Sequence, residues 1–189
     1  MSNYAKVKQS IADKLNISDT KNIDVFTDRV AEIESDSGKN TISKISSAKG
    51  IFQFLTKGDG NAFQTGLNRL ERHLGKTQWI TEARKHNDPN SLTKDQQQAL
   101  FLANIYEQKG TDSYLKKIAQ GDNVAMAEAY GKFHHTVPDI YTDSRISSIF
   151  QLEPPAPVLN DLKVGEQKPT EEEIIKKANA AGTFPEAMQ

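Results

Sequence analysis

Apolar residues return along much of the chain at the spacing of a helix face. Val7, Ile11 and Leu15 recur every fourth position, and Phe26, Val30 and Ile33 follow at four- and three-residue steps. Phe63, Leu67, Leu70 and Leu74 make the clearest stripe. With about 3.6 residues per turn, side chains three and four apart share one face, so each stripe predicts an amphipathic helix. Thr93 followed by Gln96 is a capping-box pattern and opens a helix with Ala99, Ala103 and Tyr106 on one side. Tyr114 with Ile118, and Ala125 and Met126 with Ala129, predict two further short helices. Pro89 and Pro138 sit at boundaries, and Gly58-Asp59-Gly60 reads as a turn. The run Ile51-Phe52-Gln53-Phe54-Leu55, between Gly50 and Gly58, is the one strand-like segment. No internal repeat is visible. The pattern predicts a mainly α protein with at most a minor β-hairpin.

This pattern gives way near residue 150. Pro154, Pro155, Pro157 and Pro169 are four of the seven prolines, and proline fixes φ and removes an amide donor. Residues 151–169 therefore read as an extended linker. Beyond it, Thr170 with Glu173 opens a short helix that Gly182 closes, within a terminal segment 170–189. Such a helix is too short to persist alone in water. It reads equally as a disordered tail or as a peptide that docks on a partner. The organisation expected is an N-terminal helix (1–20), a helical domain (21–150), the linker and the terminal helix.

Composition narrows the function. Apolar residues are 36% of the 189 and charged residues 26%, lean for a globular domain but above the disordered range. Lys and Arg number 24 against 25 Asp and Glu, so nothing calls for a nucleic-acid partner. There is no cysteine, which excludes a disulfide scaffold, a thiolate zinc site and a cysteine nucleophile. Met1 to Leu15 alternates polar and apolar residues and is not read as a secretion signal, and no run is long enough for a membrane span.

The chemistry begins at Ala31-Glu32-Ile33-Glu34-Ser35. Glu34 falls at the C-terminal end of the Phe26 helix, beside its apolar face. A helix C-terminus and an apolar surface both disfavour a negative charge, which suits a general acid. Taken alone, that fragment also fits a solvated carboxylate at a frayed helix end. A second segment follows closely. Glu34-Ser35-x-Ser37-Gly38-x-Asn40, then Ser47-Ala48-Lys49-Gly50-Ile51-Phe52-Gln53, resembles the catalytic region of soluble lytic transglycosylases and goose-type lysozymes. The aromatic-Gln-Phe form is similar to the phage-encoded variant. A third element, Ala129-Tyr130-Gly131, matches in its first two residues, with Gly131 where that family usually has Asn. Asn104-Ile105-Tyr106 and Tyr114-Leu115 are similar to the helix preceding this element. The resemblance covers roughly residues 22 to 135.

The resemblance implies a lysozyme-like, two-lobed helical domain that grips peptidoglycan glycan strands, with no cofactor and no metal. Glu34 is the implied catalytic acid, acting between N-acetylmuramic acid and N-acetylglucosamine and closing a 1,6-anhydro ring. Ser47, Gly50, Gln53 and Tyr130 are the expected substrate-binding residues, with Ser35 and Phe52 in support. Gln53 is expected to help hold Glu34, Gly50 to allow close backbone approach, and Phe52 and Tyr130 to wall the carboxyl with apolar surface. For Phe52 plain core packing is the stronger reading over a direct sugar contact, and Tyr130 reads equally as core or as a site residue. Ordinary hydrolysis asks for two carboxyl groups. Asp36 and Asp59 are the nearest, and neither has motif support.

Other features carry less. His134-His135 are adjacent and lack the four-residue spacing of a helical zinc pair, so they are expected to line the cleft. Trp79 suits a buried position better than a sugar platform. Arg84-Lys85-His86 reads as a solvated helix end, and Gly58-x-Gly60 lacks the context of a phosphate loop. Without a secretion signal, a phage-encoded enzyme fits: carried in the virion and tethered to a tail or core protein through 151–189, or released into the periplasm as an endolysin. The alternatives are a hydrolytic muramidase and a structural virion component with a lysozyme-like fold and little activity.

Overall fold

The computed structural model describes residues 1–36, 38–40, 42, 48–57, 61–135 and 139–153. Ser47, the 58–60 turn, Pro138, the linker past its first three residues and the helix expected at 170–189 lie outside the described residues. Met1–Glu153 form one compact unit.

In chain order the described elements are α1 (Asn3–Leu15), α2 (Lys21–Ser35), β1 (Ala48–Lys49), β2 (Phe54–Leu55), α3 (Ala62–Leu74), α4 (Gln78–His86), a single 3-10 turn (Pro89–Ser91), α5 (Lys94–Tyr106), α6 (Asp112–Ala119), α7 (Asn123–Phe133) and α8 (Ser144–Phe150). The chain is thus mainly α with one two-stranded antiparallel hairpin, Ala48 opposite Leu55 and Lys49 opposite Phe54. Among the described residues no helix is long and apolar enough to cross a membrane.

Each stripe in the sequence becomes the buried face of a helix. Val7, Ile11 and Leu15 are buried on α1, Phe26, Val30 and Ile33 on α2, and Phe63, Leu67 and Leu70 on α3. Thr93 and Gln96 close the expected capping box on α5, each side chain bonding the other residue's backbone N–H.

Two expectations change. The N-terminal helix is no separate piece: α1 packs on α3 and α5. The carboxylate of Asp95, at the start of α5, accepts from the Asn3 and Tyr4 backbone N–H groups at 2.9 and 3.2 Å. These are two of the amides a helix N-terminus leaves without intrahelical partners. The apolar run 51–55 is a tight reversal, and only Phe54–Leu55 is strand. Ile51, Phe52 and Phe54 all bury their side chains, which a straight strand with alternating faces cannot do for the adjacent pair 51 and 52. The chain turns instead, with the Gln53 N–H donating to the Gly50 carbonyl at 3.1 Å and Gln53 itself at φ 47°.

α5 lies at the centre. Ala99 through Ile105 are buried without a break, as expected of a helix covered on all sides. α1 and α3 pack on it, and α2 also contacts it; α6, α7 and α8 gather around α2. Aromatic rings join these groups. Phe101 of α5 stacks on Phe52 at 4.4 Å and 8°, and Phe26 of α2 lies 5.7 Å from Phe101 and 6.5 Å from Phe150 of α8. At Gly66 a Cβ would come within 2.9 Å of Leu100, so the missing side chain is what lets α3 sit this close to α5.

The hairpin turn is fixed from α5. Gln97, itself buried, accepts the Ile51 N–H at 2.6 Å and donates to the Leu92 carbonyl at 3.1 Å. Gly50 has φ +83°, and a Cβ there would lie 2.6 Å from Gln97 Oε1 and 2.8 Å from Pro89. Gly50→Ala is therefore expected to cost about 2 kcal/mol or more in urea unfolding, combining backbone strain with a clash. Gly110→Ala, at φ +89° with open space around it, should cost only about 1 kcal/mol.

Candidate active site

Helix α2 ends at Ser35, one residue past Glu34. Asp36 adopts the left-handed conformation at φ 52°, and its N–H caps the carbonyls of Ala31 and Glu32. Ser35 is buried and holds this end together: its hydroxyl donates to the Ala31 carbonyl at 3.0 Å and accepts the Gly38 N–H at 2.8 Å. Asn40 N–H closes on the Ser35 carbonyl at 2.9 Å. Ser35 thus shapes the turn that follows the carboxyl. From the other side, the Arg145 guanidinium of α8 donates to the Glu32 carbonyl at 2.9 Å.

The Glu34 side chain is 8% exposed and faces the end of α7. The Tyr130 hydroxyl donates to Glu34 Oε1 at 2.7 Å. Burial, reinforced by the facing carboxylate, pushes the Tyr130 hydroxyl above its ordinary range, so it remains a donor. Oε2 takes no hydrogen bond among the described residues. Two histidines complete the wall. His134 Nε2 lies 3.9 Å and His135 Nδ1 3.8 Å from Glu34 Oε1, too far for hydrogen bonds. The His135 ring, 60% exposed, lies parallel to that of Tyr130 at 5.8 Å and 3°.

His134 reveals its own protonation state. Its Nε2 lies 2.8 Å from the Phe52 carbonyl oxygen, which only accepts, so Nε2 carries the proton. The ring is edge-on to Phe101 and Phe54, at 5.1 and 5.8 Å. Burial lowers its pKa from the ordinary value, so the ring is neutral and donates across to the hairpin.

Several assignments from the sequence need correction. The amide of Gln53 donates to the Asn40 and Gly50 carbonyls, at 3.1 and 2.8 Å, and so does not hold Glu34. Gly50 does permit a close approach, but Gln97 and Pro89 fill that space. Phe52 is a core residue, fully buried on Phe101. Ser47 and Asp59 lie outside the described residues. Asp36 points outward toward Lys39, 3.5 Å away. Trp79 is partly buried on α4, against the core. What the sequence missed is the contact network: Gln97, Arg145 and the His134–Phe52 bond. The signal for His134 was present, because it follows Tyr130 by four residues and so shares its helix face.

Searches of protein-family models, curated proteins and solved structures return no match to this chain. The geometry stands by itself. It offers a shielded carboxyl with one oxygen held by a phenol, and a neutral imidazole that orients the loop opposite.

The histidines give a pH signature. His73 is also buried, between Ser10 Oγ at 3.1 Å and Glu107 at 3.3 Å, and burial lowers its pKa too. Both rings bind protons less readily folded than unfolded. Their contribution to stability is whole above the ordinary value of 6.5 and is lost as pH falls below it toward the folded values. Denaturant titrations from pH 8 to pH 5 should show falling stability. His134→Gln, which keeps a donor for the Phe52 carbonyl, should flatten that slope, and an unchanged slope would contradict the burial argument.

Proposed function

We propose that this protein is a peptidoglycan lytic transglycosylase, with Glu34 as its catalytic acid and base. The observation that carries the reading is the Tyr130–Glu34 pair: a carboxyl 8% exposed, with Oε1 held by the phenol at 2.7 Å. That bond fixes the direction in which Oε2 presents itself, and positioning is a large part of acid–base catalysis. Motifs far apart in the chain, at Glu34-Ser35 and Ala129-Tyr130, supply the two partners, which adds weight to the resemblance on which the reading rests.

In the proposed reaction Glu34 gives its proton to the glycosidic oxygen between N-acetylmuramic acid and N-acetylglucosamine. The bond from that oxygen to C1 breaks, leaving a carbon with oxocarbenium character. The Glu34 carboxylate then takes the proton of the muramyl 6-hydroxyl, and O6 bonds to C1 to close the 1,6-anhydro ring. Glu34 ends protonated, as it began. One carboxyl serves both halves of this scheme, whereas hydrolysis generally employs a pair. Asp36 is paired outward and Asp143 caps α8 through Oδ1, so neither is free to play that second part. The setting proposed is a phage enzyme that opens the host wall.

Zymography on purified peptidoglycan with wild type and Glu34→Gln tests this. The amide leaves an oxygen for the Tyr130 hydroxyl, so the fold should persist. Wild type should clear the wall, and the variant should lose roughly a hundred- to ten-thousand-fold in rate. Mass spectrometry of the wild-type products should show anhydro-muramyl ends. Reducing ends would favour a muramidase, and equal, negligible clearing by both proteins would favour a structural virion component.

A further inference from the structure

We infer that the pocket between the hairpin and α3, α5 and α7 binds a carboxylate of the peptide stem borne by the muramyl sugar, with Arg69 as its anion-binding group. The inference rests on the cell-wall reading above and names the part of the substrate that reading leaves open.

The pocket has a volume of about 270 Å³, and its lining includes Gln53, Phe54, Leu55, Arg69, Phe133 and His134. Gln53 and His134 also belong to the hairpin turn and the wall beside Glu34, so the pocket adjoins the candidate active site. Among the described residues no Asp or Glu lines it. Its one permanent charge among the described residues is the Arg69 guanidinium, which stays protonated even where burial lowers its pKa. Only Nη1 is engaged, donating to the carbonyl and side-chain oxygens of Asn104 at 2.9 and 2.6 Å. Among the described residues Nε and Nη2 have no acceptor, and no carboxylate lies within ion-pair distance. Two N–H groups of a planar fork thus remain for a ligand, a geometry suited to a carboxylate.

The rest of the lining selects among anions. Phe54 and Phe133 give apolar walls, and Leu55 stands 42% exposed at the rim. Such a pocket favours a carboxylate flanked by a short alkyl group, as in an alanine-like residue. The glycan supplies no such group, since N-acetylglucosamine is neutral and the muramyl lactyl carboxyl is tied up as an amide. The anions are those of the stem, which leaves the muramyl ring close to the bond that Glu34 cleaves.

Calorimetric titration of the full chain carrying Glu34→Gln, which prevents turnover, tests the proposal. Three tetrasaccharides are compared: one with its stem peptides, one with the stem carboxyls amidated, and one with the peptides removed and the lactyl carboxyls so freed capped as amides. The first should bind about tenfold more tightly than the other two, and adding Arg69→Gln should erase the difference. Equal binding of all three, or a preference that survives Arg69→Gln, would overturn the pocket assignment alone. Absence of binding by any of them would overturn the cell-wall reading, and this assignment with it. The amidated ligand decides the matter even if Arg69→Gln fails to fold.

Discussion

Phe52 faces two ways. Its ring stacks on Phe101 of the central helix at 4.4 Å, and its carbonyl oxygen takes the Nε2 proton of His134 at 2.8 Å. The ring ties the hairpin to the core and the carbonyl ties it to the end of α7. The latter is the helix that brings Tyr130 to Glu34. The carboxyl, the phenol and the loop opposite are therefore referred to one another through a single residue with no freedom to rotate away. A close-packed interior transmits such constraints because it has little slack.

The polar groups around this residue follow one rule. Each finds a partner: the buried Gln97 the Ile51 amide and the Leu92 carbonyl, the buried Ser35 its own turn, and the half-buried Gln53 two backbone carbonyls. Leaving a buried one unpaired would cost about 1 to 3 kcal/mol. Satisfying them turns a short, irregular segment into a rigid wall. Against that background Glu34 stands out, since a partner holds one of its oxygens while the other takes no hydrogen bond among the described residues.

The helices were legible because their stripes are amphipathic. α3 announces itself through Phe63, Leu67 and Leu70, and the Thr93–Gln96 box marks the start of α5 to the residue. The central place of α5 was less legible: apart from Asn104, Ala99 through Ile105 is apolar on every side, so the single face of Ala99, Ala103 and Tyr106 is only part of what the helix buries. The hairpin misled for a related reason. An apolar run broken only by Gln53 suits a buried strand and a buried turn alike, and only the third dimension shows that Ile51 and Phe52 both point inward. At the site, Glu34 and Tyr130 could be paired from their motifs. The duties of Gln53 and Gly50 could not, because hydrogen bonds to Asn40 and a near-clash with Gln97 depend on residues 13 and 47 positions away.

The bond from Arg145 to the Glu32 carbonyl joins α8 to the last turn of α2, two residues before the carboxyl. α8 is also the last element before the chain leaves this compact unit at Glu153. Tension on the following segment would load α8 first and, through that guanidinium, the helix end that aims Glu34. The attachment is mechanical as well as covalent, so anchoring or pulling the C-terminal segment is a direct way to bear on the geometry of the acid.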